Sequence, residues 1–348
     1  MATHYFTTTT QEALQAELND FIRVPGSLDI EYMRPAITAA QNNHLNEILG
    51  EELSAYLLTE VVPDPEASGV EYIDRELLTR VREPLAHLSV IAAIPMINLK
   101  VGAGGLTSTN NEKESTVQWW QYRDFKKALQ SNAVAALDRL LIFLEKKGGQ
   151  FEDYEGSAAQ KANNANFVNT TAKARALLPV VKSPYVLRAM RPAMQRADEL
   201  VLKRTLTPAL YTALKDLSAA GDAWTITAID YEPLRPHVEA VEMHLAFAES
   251  LDEGAISWTE EYGVYVPIIA EVETAGRLQQ STMQQREELS RKHSTYAARA
   301  VNELAELLKG NPDDFPLYAP ATTAAKPFIK QGAEEKKEQN IYKGIGLP

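Results

Sequence analysis

Met33-Arg34-Pro35-Ala36 opens one apolar helical stretch of this 348-residue chain, and Met190-Arg191-Pro192-Ala193 opens another 157 positions later. At the same spacing Ala40 falls on Ala197, Leu45 on Leu202, Leu49 on Leu206, Leu53 on Leu210 and Leu57 on Leu214, nine identities in 25 aligned positions. The leucines step by four, as they do along a helix with one buried face. His87-Leu88 then meets His244-Leu245 at 157, and Leu140, Leu144, Phe151 and Tyr154 meet Leu304, Leu308, Phe315 and Tyr318 at 164. Upstream, Phe6 and Thr9-Thr10 meet Phe167 and Thr170-Thr171 at 161. Loop insertions leave such small drifts in spacing. Solenoid repeats have periods of about 20–50 residues, so a period this long is a duplicated domain. The fold class predicted is mainly α: two tandem duplicated helical-bundle modules, each with a small β-hairpin, plus an extended C-terminal arm. The first module is set at 1–155, a linker at 156–166, the second module at 167–318 and the tail at 319–348.

Within the first module, Thr9-Thr10-Gln11-Glu12 reads as a capped start to a helix over Ala13 to Ile22. Pro25-Gly26-Ser27 is a turn. A helix is expected from Ile30 to Thr59, with Pro35 near its first turn, where a missing N–H costs little. A third, Asp74 to Ile94, should stop at Pro95. Met96 to Val101 alternates like a strand, Gly102-Ala103-Gly104-Gly105-Leu106 reads as its turn, and a long helix runs from Lys113 to Lys147 before Gly148-Gly149. The second module repeats the plan: helices over Thr170 to Val181, Tyr185 to Leu217 and Glu232 to Leu251, strands over Ala255 to Thr259 and Tyr262 to Val266, and a long helix over Glu271 to Lys309. The linker is rich in Ala and Asn. The tail lacks helical periodicity and is expected to lie extended or disordered.

Composition excludes several chemistries. With no cysteine there is no disulfide frame, thiol nucleophile or zinc-thiolate site. The threonine-rich start carries no signal-peptide pattern, and the apolar run from Leu85 to Leu99 is interrupted by Pro95 and too short to span a bilayer. A soluble protein made in the cytosol is expected. The net charge of −12 argues against a phosphate-binding surface. Residues 1–160 hold 13 basic against 23 acidic side chains, and the remainder 22 against 24. The copies kept their apolar skeleton while their surfaces diverged, as expected if each faces a different neighbour; neutral drift would look the same.

Neither a dinucleotide turn nor a Walker loop is completed at Gly102-Ala103-Gly104-Gly105, so a hairpin turn is the reading. A di-iron bundle needs Glu-x-x-His on two helices. None of His4, His44, His87, His237, His244 and His293 has a glutamate three positions before it. His237, Glu239, Glu242 and His244 share a helix, but their spacings do not converge on one metal. His87 and His244, related by the repeat, are read as equivalent structural positions. There is no Gly-x-Ser-x-Gly motif, and Glu51-Glu52, Glu287-Glu288 and Glu334-Glu335 are read as solvated faces. No catalytic, cofactor-binding or metal residue is assigned, and no cofactor is expected.

Interface candidates lie elsewhere. Trp119 and Trp120 point about 100° apart on a helix, so one can enter the core while the other meets a neighbour. The hairpins contribute Gly104, Gly105 and Leu106, and Trp258, Tyr262 and Tyr265. In the tail, Phe328, Ile341, Tyr342 and Ile345 are apolar residues with no core of their own, suited to docking on another subunit.

The order of a short capped helix, a proline-started helix ending in Leu-x-x-x-Leu, a third helix, a hairpin and a long Leu-rich helix resembles an uncharacterised helical family encoded by phages and prophages of Bacteroidetes. The resemblance is carried by Met190-Arg191-Pro192-Ala193 through Leu214, the Gly263 hairpin, and Ala135-Ala136-Leu137-Asp138-Arg139-Leu140-Leu141-Ile142-Phe143-Leu144-Glu145. It covers most of the chain and brings no catalytic residues. It implies a virion-assembly protein similar to the head–tail connectors, or adaptors, that stack as rings under the portal. The implied partners are further copies of the chain in a ring with about twelvefold symmetry, the portal, and tail or neck proteins. DNA would pass through the lumen without specific binding, and no membrane is involved. An acidic wall suits such a lumen, because it repels phosphates. The expected location is the virion. The alternatives are another phage structural protein, capsid-associated or scaffold, and a cytoplasmic helical enzyme or ligand-binding protein with a cryptic pocket.

Overall fold

A computed structural model describes residues 4–318 apart from 24–29, 66, 68, 98, 103–104, 109–118, 222, 228, 260–262 and 267–276. Helix α1 (Gln11–Asn19) starts where Thr10 turns extended and its hydroxyl accepts the Ala13 N–H at 3.2 Å. Helix α2 (Ile30–Ala40) passes through a π-helical turn (Gln41–Leu45) into α3 (Asn46–Leu49). Beyond Gly50, α4 (Glu51–Tyr56) ends in a second π-helical turn (Leu57–Val61). Helix α5 (Tyr72–Ile97), strands β1 (Leu99–Gly102) and β2 (Gly105–Ser108), and helix α6 (Trp119–Lys147) complete the first module. A short helix α7 (Ala158–Asn164), capped by Ser157, occupies the stretch between the modules.

The second module repeats the order with α8 (Thr171–Leu177), α9 (Pro184–Ala197), a π-helical turn (Asp198–Leu202), α10 (Lys203–Leu206) and α11 (Pro208–Ala220). Strands β3 (Thr225–Ile226) and β4 (Ile229–Asp230) form a short hairpin before α12 (Arg235–Glu253). Strands β5 (Ser257–Thr259) and β6 (Gly263–Tyr265) lead to α13 (Arg277–Gly310). The fold is mainly α and is a tandem duplication. Among the described residues the three sheets are two-stranded and antiparallel, and β1–β2 and β5–β6 sit between the third and long helices of their modules.

The copies share one irregularity in detail, whereas the π-helical turn at Leu57–Val61 falls on continuous α-helix in α11. The π-helical turns Gln41–Leu45 and Asp198–Leu202 are 157 apart, and each closes with an i→i+5 bond, Asn46 N–H to the Gln41 carbonyl and Lys203 N–H to that of Asp198. The break after them is shared too. Gly50 holds φ 82°, ψ 168°, and its counterpart Thr207 holds φ 69°, ψ 149°. That region is natural for glycine and strained for a β-branched residue.

These breaks correct the sequence reading, which ran single helices over Ile30–Thr59 and Tyr185–Leu217. The leucine stripe survives because one inserted residue re-phases the helix before the break. Helix α5 runs two residues past Pro95, where the lost N–H costs one bond near a helix end. The short helices end earlier than expected, α1 at Asn19 and α8 at Leu177. Gly105 and Leu106 belong to strand β2, not to the turn. The capping threonines are Thr10 and Thr170, a spacing of 160, one less than the phenylalanines upstream. The 156–166 linker contains a helix. The starts assigned to the long helices, 113–118 and 271–276, and the tail 319–348 lie outside the described residues.

The first module has one continuous core, from Tyr5 and Phe6 to Ala159, which also packs Tyr185 from the second. In the second module the buried residues divide in two. One group gathers on Phe167, Leu210, Trp224, Tyr231 and Leu304, the other on Val168, Met190, Met194, Phe247 and Leu251.

Candidate functional site

The modules meet because α6 carries two carboxylates seven residues apart, two turns along one stripe. Asp138 accepts the Ser183 hydroxyl at 2.7 Å and the Tyr185 N–H at 3.1 Å, at the start of α9. Ser183 in turn caps α9 by accepting the Val186 N–H. Glu145 accepts the Thr171 hydroxyl at 2.9 Å and its N–H at 3.4 Å, at the start of α8. Each carboxylate faces a helix N-terminus, where the macrodipole favours negative charge. Burial nonetheless pushes the Asp138 carboxyl up, opposed by its bonds to Ser183 and Tyr185. Arg188 of α9 reaches α3, donating to the Glu47 carbonyl at 3.0 Å and pairing with its carboxylate at 2.8 Å. The Tyr185 hydroxyl lies 3.4 Å from His44 Nδ1. The junction is head to tail: α3 and α6 of the first module, with α7 of the linker, receive α8 and α9 of the second.

A cavity of about 110 Å³ opens in this junction, lined among others by Glu145, Tyr154, Asn163, Asn169 and Arg191. The Asn163 side-chain oxygen Oδ1 accepts from both Arg188 and Arg191. Burial pulls the Arg191 guanidinium down to about 10, and the charge of Arg188 adds to the effect. Among the described residues no carboxylate stands within ion-pair distance of Arg191. Its repeat counterpart Arg34 grips the Thr8 carbonyl through Nε at 2.9 Å and Nη2 at 2.6 Å.

Charged side chains separate the two halves of the second core. Glu242 is fully buried and accepts the Phe167 and Val168 N–H groups at 2.9 and 2.7 Å. Lys215 pairs with Asp198 and lies 3.6 Å from Glu242, with its ammonium 4.1 Å from the centre of the Phe167 ring. Tyr211 donates to Asp198 at 3.5 Å. Burial drives the Glu242 carboxyl well up, and nearby Asp198 drives it further. Asp198 is also raised by burial, against the pull of Lys215. The corresponding first-module residues are Gln41, Leu58 and Leu85, which leave that core unbroken.

A histidine pair stands between α12 and α13, with the Nδ1 atoms of His244 and His293 3.0 Å apart and Tyr296 packed against both rings. Burial first, then His244 and Lys292, lower His293 to about 4. One ring must donate and the other accept, so the two rings cannot both be protonated while this bond holds. Among the described residues no group of three or more His, Cys, Asp or Glu is placed to hold a metal ion.

Two units of one kind in succession are also what comparison with known families finds. A family model described as a family of unknown function, DUF6712, matches residues 38–164 and again 202–327, together well over half of the chain. The chain belongs to the DUF6712 family. In comparisons with curated proteins and with solved structures, none matches. The first DUF6712 match ends with α7 and so takes in most of the linker, and the second extends past Tyr318.

Within this DUF6712 chain the interface candidates read from sequence are scattered. Gly105 and Leu106 pair with Gly102 and Val101, Trp119 and Trp120 open α6, and Trp258 and Tyr265 lie on one hairpin opposite Val264 and Ser257. Gly104, Tyr262, Phe328, Ile341, Tyr342 and Ile345 lie outside the described residues. His87 and His244 occupy the same helical position. His87 is buried with Nδ1 unbonded, whereas His244 meets His293. Sequence reasoning missed Asp138, Glu145 and Arg188 as junction residues. Asp138 and Glu145 stood within a quoted stretch, and their seven-residue spacing was the available signal. It also missed the Asp198–Lys215–Glu242 network, which lining up the copies exposes as charges on an apolar stripe. No helix among the described residues is long and apolar enough to cross a membrane.

Proposed function

We propose that this chain is a virion structural protein, a subunit of a head–tail connector or adaptor ring joining portal to tail in a phage neck. The observation that carries the reading is the head-to-tail junction. A contact between two similar units that uses different faces of each leaves one copy of each face unused at the ends. Such heterologous contacts repeat from chain to chain and close as a ring when the rotation permits. The resemblance to phage virion-assembly proteins supplies the setting, and the acidic first module suits a wall past which DNA slides. The partners proposed are sister chains, the portal, and tail or neck proteins. To test this, phage particles carrying the tagged chain are imaged with gold-labelled antibody. Label confined to the neck supports the reading; label over the capsid shell, or none on virions, removes it. Reversing several exposed acids of the first module to lysine should hinder DNA packaging or ejection.

The cavity at Arg191 favours a second reading, a ligand-binding protein. It requires that a small oxyanion such as phosphate raise the melting temperature saturably, and that Arg191→Gln abolish the response.

A further inference from the structure

Inside the chain the two modules meet at the junction described above. There, Arg188 of α9 pairs with Glu47 of α3 at 2.8 Å. Moved by the repeat spacing of 157, Arg188 becomes Glu31 and Glu47 becomes Arg204, so the two signs are exchanged together. Helices α3 and α10, which carry Glu47 and Arg204, cover equivalent residues, Asn46–Leu49 and Lys203–Leu206. Glu31 lies in the first turn of α2. Both Glu31 and Arg204 are exposed.

The second junction contact changes in the same way. Glu145, near the end of α6, holds the first residue of α8. Its counterpart 164 positions on is Lys309, exposed near the end of α13, while the first turn of α1 carries exposed Glu12. A carboxylate facing a helix start has become an ammonium, and the helix start has gained a carboxylate. Among the described residues neither Arg204 nor Lys309 has an ion-pair partner within the chain.

The copies have already made one such exchange internally. Arg82 of α5 pairs with Glu17 of α1 at 3.3 Å in the first module. At the position of Arg82 the second module has Glu239, which pairs with Lys173 of α8 at 3.8 Å. The charge on the third helix is thus reversed, and its partner on the short helix has the opposite sign at a different position, because Glu17 corresponds to Leu177 and Lys173 to Ala13.

We infer that the chain docks head to tail on a second copy of itself, the outer surface of α10 and α13 in one copy meeting α1 and α2 of the next, with Arg204 facing Glu31 and Lys309 facing Glu12. The inference rests on the ring reading and names its contact. Applying the step that carries the first module onto the second once more carries the second onto the first module of the neighbour. Opposite charges on the two meeting faces steer them together and disfavour the reverse pairing of like faces.

The full-length chain has no cysteine, which permits a direct test. The double variant Glu31→Cys with Arg204→Cys, oxidised mildly, should give a ladder of disulfide-linked multimers, whereas either single variant stops at dimers. In parallel, Arg204→Glu should weaken assembly about tenfold and Glu31→Arg in the same chain should restore it. Unchanged helical circular dichroism confirms that the variants fold. If the natural chain assembles while Arg204→Glu has no effect and no ladder forms, this contact is wrong and the ring reading stands on another surface. If the natural chain stays monomeric, both fall.

Discussion

Thr207 occupies a backbone conformation that its first-module counterpart assigns to glycine, and the strain there is of order 1–3 kcal/mol. Thr207→Gly should therefore stabilise the second module by about 1 kcal/mol, after allowing for glycine's greater unfolded-state freedom. Chemical denaturation measures this. Gly50→Ala should do the opposite, because a Cβ there meets Ala159 at 3.1 Å in addition to the unfavourable φ. The buried network offers a second comparison between copies. Lys215→Met leaves two buried carboxylates without a cation and should cost about 3–5 kcal/mol. The triple change Asp198→Gln, Lys215→Leu, Glu242→Leu removes the buried charges but also the acceptor of the Phe167 and Val168 N–H groups, so it should recover only part of that loss in the same denaturation experiment. His293 sets a pH dependence. Its folded value of about 4 lies below the ordinary 6.5, so the stability it contributes is full above 6.5 and is lost as pH falls through 4. Melting temperatures between pH 7 and pH 4 should decline, and His293→Leu, the residue type of the counterpart Leu129, should flatten the decline.

At the scale of elements, the junction depends on α6 ending the backbone needs of α8 and α9. Asp138→Ala removes the acceptor shared by Ser183 and Tyr185 and should destabilise by about 1–2 kcal/mol. Hydrogen exchange should then accelerate at the first turn of α9, around Val186 and Leu187, before it changes in α5. The element order was legible in the sequence because the leucine stripe and the prolines repeat. The π-helical turns and the breaks at Gly50 and Thr207 were not, because an added residue followed by a sharp turn leaves a four-residue stripe nearly in phase. The β3–β4 hairpin was missed for a different reason. Its strands are two residues each, and what fixes them is the burial of Trp224 and Tyr231, joined by a 2.6 Å backbone bond.

At the scale of the molecule, duplication was readable from identities alone, whereas the way the modules join was not. Capping of one module's helices by another's carboxylates involves Asp138 and Glu145 against Ser183 and Thr171, residues that look like ordinary surface positions until the chain is folded. The copies kept their leucine stripe, while charges changed both at the Asp198–Lys215–Glu242 network and on the third helix, where Arg82 became Glu239. That is the expected outcome when each module keeps its fold but meets a different neighbour. Native mass spectrometry of the full-length chain at high concentration and low salt tests this most directly. A closed ring of about six or about twelve copies is predicted, whereas a single species of 38.6 kDa at every concentration would contradict the account.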